Sequence, residues 1–70
     1  MCEATVYLDQ AGQRRKVLEN VARVELTRDG VVLRKLFEPP VTIRAMIREV
    51  DFLKHSITLI TEGQNDEQID

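Results

Sequence analysis

The sequence predicts an all-β domain on three observations: apolar residues recur at period two, many of them are β-branched, and turn-forming pairs punctuate the chain at short intervals. Alternation at period two places one face of a segment in a core and the other in water. That is the signature of a half-buried strand.

Seventy residues leave room for one hydrophobic core, and a core of that size rarely supplies more than roughly 3–5 kcal/mol. With a single cysteine there is no internal disulfide, so a partner subunit or a metal is the expected reinforcement, and a lone thiol points to a reducing cytosol. Twelve acidic and ten basic residues are interspersed to a net charge of -2, which gives no global field to draw in phosphates. No segment approaches the roughly 20 apolar residues of a membrane span, and the N-terminus has neither a basic region nor an apolar stretch behind it. The expected location is cytoplasmic.

Taken in order, Cys2 to Leu8 reads as the first strand, with Cys2, Ala4, Val6 and Leu8 on one face. Residues 9–13 read as a turn. Arg14 to Glu19 is a short, largely polar strand. Val21 to Arg28 follows, with Ala22, Val24 and Leu26 alternating against Arg23, Glu25 and Thr27. Asp29-Gly30 is the strongest hairpin signal, because a type I′ turn needs positive φ at both central positions and these residues tolerate it. The returning strand runs from Val31 to Phe37, and Glu38-Pro39-Pro40 breaks the ladder because proline has no N–H to donate.

Val41 to Val50 alternates Val41, Ile43, Ala45 and Ile47 against Thr42, Arg44, Met46 and Arg48. Ile43, Met46, Ile47 and Val50 also fit helical spacing, but strand is preferred. Asp51 to Ser56 is a connection, and Ile57 to Thr61 is the last strand. Residues 1–61 thus form one domain, and 62–70 an acidic tail too polar to order itself. About six short antiparallel strands joined by tight turns predict a strongly bent sheet or small barrel, because closure removes exposed edges; an SH3-like barrel fits best.

Cys2 is the first candidate for chemistry. If Met1 is retained, its amine, the Cys2 amide nitrogen and the Cys2 sulfur form two fused five-membered chelate rings. If Met1 is removed, the Cys2 amine and sulfur form one. Either nitrogen and thiolate set suits a square-planar ion, which among divalent metals means nickel or copper. Burial of Cys2 as a small apolar continuation of the Ala4, Val6, Leu8 face is the alternative. His55, the only histidine, reads as a surface or capping residue rather than a ligand. Arg14, Arg15 and Lys16, with Arg34, Lys35, Arg44 and Arg48, could form a basic stripe for nucleic acid. Only Tyr7, Phe37 and Phe52 are available for stacking, and the two phenylalanines are expected in the core. No Ser–His–Asp set, C-x-x-C, glycine-rich phosphate loop or H-E-x-x-H is present, so an enzyme is not expected.

The opening Met1-Cys2-Glu3-Ala4-Thr5-Val6-Tyr7-Leu8 resembles the Met-Cys-x-Ala-x-Val-x-Leu start of the CooT family, small nickel-binding accessory proteins of carbon monoxide dehydrogenase maturation. Leu36-Phe37 and the run from Ile47 to Leu59 agree with it, while Ala45 stands where many relatives carry glycine. The resemblance implies a homodimer of SH3-like folds with Cys2 of each chain near the two-fold axis binding Ni(II), and as further partners apo carbon monoxide dehydrogenase or other nickel accessory proteins. The alternative is a small RNA-binding module using Arg14, Arg15 and Lys16, which the acidic balance disfavours.

Overall fold

The computed structural model describes residues 3–61. Among the described residues seven strands form: β1 (Ala4–Gln10), β2 (Gln13–Val21), β3 (Arg23–Thr27), β4 (Gly30–Arg34), β5 (Val41–Ile43), β6 (Ala45–Asp51) and β7 (Ser56–Thr61). They make a four-stranded sheet in the order β2-β1-β7-β6 and a three-stranded sheet in the order β3-β4-β5. The all-β expectation holds. Hydrogen bonding divides between two sheets rather than running round one closed barrel, and the chain crosses from sheet to sheet at single residues, Ala22 and Arg44. At the first crossing the Ala22 N–H still donates to the Arg34 carbonyl at 2.8 Å, so the corner costs no ladder bond.

Three expectations are corrected. The run from Val41 to Val50 is extended but splits at Arg44 into β5 and β6, which raises the strand count to seven and disposes of the helical alternative. The strands are not all antiparallel, because β1 lies parallel to β7 in the register Val6↔Ile57 and Leu8↔Leu59. The strand after Gly30 ends at Arg34, three residues early: Phe37 adopts φ +65 in a turn and is wholly exposed at 102%. Phe52 is likewise 82% exposed, so neither phenylalanine belongs to the core.

The turn chemistry is also exchanged between the two hairpins. Ala11 and Gly12 form the two-residue loop between β1 and β2 with φ +54 and +78, the paired positive values of a type I′ turn. In the other hairpin Thr27 pairs with Gly30, so the loop residues are Arg28 and Asp29, and of these positions only Gly30 has positive φ. Glycine is needed there for a different reason: a Cβ would stand 2.3 Å from the Ile43 carbonyl oxygen.

Val6 and Leu8 from β1, Val31 and Leu33 from β4, Ala45 from β6, and Ile57 and Leu59 from β7 make the core with Val21. Partly buried Ala4, Val17, Leu18, Val24, Ile43 and Ile47 pack around them. On the other face of β7 Ser56 and Thr58 are buried as well, and Arg14 reaches across to donate to Thr58 Oγ1.

Candidate metal centre at the N-terminal edge

Residue 3 leads into β1, and β1 is flanked by β2 on one side and β7 on the other. The parallel pairing sets Thr5 beside Ser56, and the Thr5 N–H donates to the His55 carbonyl at 2.9 Å. The only histidine is thereby carried to the end of the molecule where the chain begins. His55 holds φ +54, the left-handed turn that starts β7.

Beside this junction lies a groove of about 190 Å³. Its floor is apolar, built from Ala4, Val21, Val24 and Ile57, with Val50 and Phe52 as a wall. Glu3, Arg23, Asp51, His55 and Ser56 contribute its polar and charged lining. The wall is held by a local device in which the Asp51 Oδ1 accepts hydrogen bonds from the N–H groups of Leu53 at 3.0 Å and Lys54 at 3.1 Å. This side-chain turn fixes the loop with Phe52 and Leu53 facing water, Leu53 94% exposed. The groove and its apolar rim were not expected from the sequence, where Phe52 reads as a core residue.

Met1 and Cys2 lie outside the described residues. Among the described residues no three side chains of His, Cys, Asp or Glu converge as a ligand set. Glu3 and His55 do line one groove, a proximity that a sequence separation of 52 conceals and that the β1–β7 pairing creates.

The basic stripe is broken up. Register places Arg14 opposite Asp9 and Lys16 opposite Tyr7 on the outer face, whereas Arg15 pairs with Leu8 and belongs to the other. Arg14 stacks 4.0 Å above the Tyr7 ring and donates to Thr58 Oγ1 at 3.3 Å, which covers that aromatic surface. Lys16 bonds Glu19, and this contact pushes the lysine pKa up and the glutamate pKa down. Arg34 and Arg23 share Glu25 at 2.9 and 3.2 Å, Lys35 faces Glu38 at 3.8 Å, and Arg48 bonds Asp9 at 2.7 Å. Most of the expected cations are thus neutralised where they stand.

The chain is thus a small two-sheet β domain with an apolar groove beside Glu3 and ion-paired outer faces. A family model, CO dehydrogenase accessory protein CooT, matches residues 1–60, and the chain belongs to that family. No curated protein matches it. Among solved structures it is similar to a crystal structure assigned to CooT from Carboxydothermus hydrogenoformans, with a TM-score of 0.78 and 28% identity, covering 87% of this chain and 98% of that one. The family is one of accessory proteins to CO dehydrogenase rather than of catalysts.

Proposed function

We propose that the protein binds Ni(II) through Cys2, with nitrogen from the chain start, at the interface of a homodimer, and assists nickel insertion into carbon monoxide dehydrogenase. The observation that carries this reading is the family match over residues 1–60, which takes in the Met1-Cys2 opening. Two-fold symmetry turns one thiolate near an axis into two, and two thiolates with two nitrogens make a four-donor set suited to square-planar nickel. The groove supports the dimer: Val50 and Phe52 line it and, with the adjoining Leu53, are exposed apolar side chains that a second copy would take out of water. In the dimer each subunit is read as an SH3-like barrel working in the cytoplasm. The rival, nucleic-acid reading has less support, since Arg14, Lys16, Arg34, Lys35 and Arg48 are engaged within the chain.

Nickel titration of the wild type and Cys2→Ser by absorbance and calorimetry tests the assignment. The wild type is expected to show thiolate-to-nickel charge-transfer absorption at one ion per dimer, with affinity rising with pH because the donors must lose protons. Cys2→Ser is expected to lose the band and most of the affinity. Equal binding by Cys2→Ser would overturn the site.

A further inference from the structure

At the other end of the β6–β7 ladder from the groove, Arg28 and Arg44 line a concavity of about 100 Å³ together with Thr27, Asp29 and Met46. Gly30 brings the two arginines together. A Cβ there would lie 2.3 Å from the Ile43 carbonyl oxygen and 2.9 Å from the Arg44 Cα, so the β3–β4 turn rests directly on the Ile43–Arg44 backbone. Among the described residues neither arginine takes part in an ion pair, unlike Arg23, Arg34 and Arg48.

We propose that the acidic segment 62–70 of this same chain docks on the Arg28–Arg44 concavity. Register is the first argument. Thr61 stands opposite Ala45 in the antiparallel β6–β7 ladder, so β7 ends across from the residue next to Arg44, which lines the concavity. Charge is the second. Residues 62–70 hold four of the twelve acids, Glu62, Asp66, Glu67 and Asp70, and no base, which leaves eight acids against ten bases in residues 1–61, a net +2. Reach is the third, since Asp66 and Glu67 follow Thr61 by five and six residues, up to about 17–20 Å of extended chain, enough to pass from Arg44 to Arg28.

The test compares amide ¹H–¹⁵N spectra of the full chain with a full-length variant carrying Glu62→Gln, Asp66→Asn, Glu67→Gln and Asp70→Asn. The expected result is a displacement of the Arg28, Gly30 and Arg44 amides at low salt that disappears at about 1 M salt, where the Debye length is roughly 3 Å. Arg28→Gln with Arg44→Gln in the otherwise natural chain is expected to shift the amides of residues 62–70 in turn. Unmoved Val6 and Leu59 amides, from the core, establish that every variant is folded. The proposal is overturned if displacements stop at the substituted residues and their neighbours in sequence, persist in high salt, or fall on the groove at Glu3 and Phe52 instead.

Discussion

Ala11 occupies a left-handed conformation that costs an L-residue about 1 kcal/mol, and its successor Gly12 shares it without penalty. Ala11→Asn, which restores the preferred Asn-Gly pair of a type I′ turn, is expected to raise stability by about 0.5–1 kcal/mol in urea denaturation. An unchanged midpoint would remove the turn assignment. Gly30 behaves oppositely. Both φ +136 and the Ile43 oxygen at 2.3 Å oppose a side chain, so Gly30→Ala is expected to cost about 1–3 kcal/mol. The two glycines mark turns in the sequence, but their separate roles were not legible there. Residue type announces that positive φ is tolerated, and only the packing of Ile43–Arg44 against the β3–β4 turn reveals that a Cβ is forbidden.

In the β3–β4 hairpin, one carboxylate clamps two strands: Glu25 on β3 accepts from Arg34 on β4 and also meets Arg23. The Arg34 hydrogen bond is the main cause that holds the Glu25 pKa below the ordinary glutamate value of 4.5, and Lys16 does the same for Glu19 on β2. A carboxylate whose pKa is depressed on folding contributes stability above its unfolded pKa and loses it as pH falls through the folded value. Thermal melts from pH 7 to pH 3 should therefore show a smaller acid-side loss in Glu25→Gln than in the wild type, with the difference shrinking in salt because both groups are open to solvent, Arg34 more than Glu25. Identical acid profiles would mean that the clamp contributes nothing. Strands were legible as elements because alternation is local, as Val6 and Leu8 buried beside outward Tyr7 illustrate. Their partners were not, since pairing β1 with β7 joins residues about fifty positions apart with no signal in either. Phe37 and Phe52 misled for a related reason: hydrophobicity speaks for burial, whereas turns at Leu36–Glu38 and Phe52–His55 turn both rings outward.

For the whole molecule, Phe37, Phe52 and Leu53 are nearly bare and Leu26 is 70% exposed, and the proposed dimer would cover those beside the groove. Sedimentation should give a dimer at micromolar concentration, weakened by Phe52→Ser with Leu53→Ser. A wild type that sediments as a monomer with and without nickel would refute the dimer. The candidate site divides along the same line as the fold. Cys2 lies outside the described residues, and its role is proposed from the Met1-Cys2 opening alone. The groove at the Glu3 end of β1 was not legible, being assembled from β1, β2, β3, β6, β7 and the loop that joins the last two.

The parallel seam between β1 and β7 also decides how the molecule bears force. Tension applied between the start of β1 and the end of β7 draws two neighbouring strands in opposite directions along their own axes. The rungs from Thr5↔Ser56 to Asp9↔Ile60 are then strained together instead of one at a time. A hairpin such as β1–β2 pulled open from its free ends peels rung by rung. Single molecules stretched by the two ends of the domain should yield at a distinctly higher force than the same molecules gripped at Ala4 and Val21, and equal forces would show that the seam carries no shear.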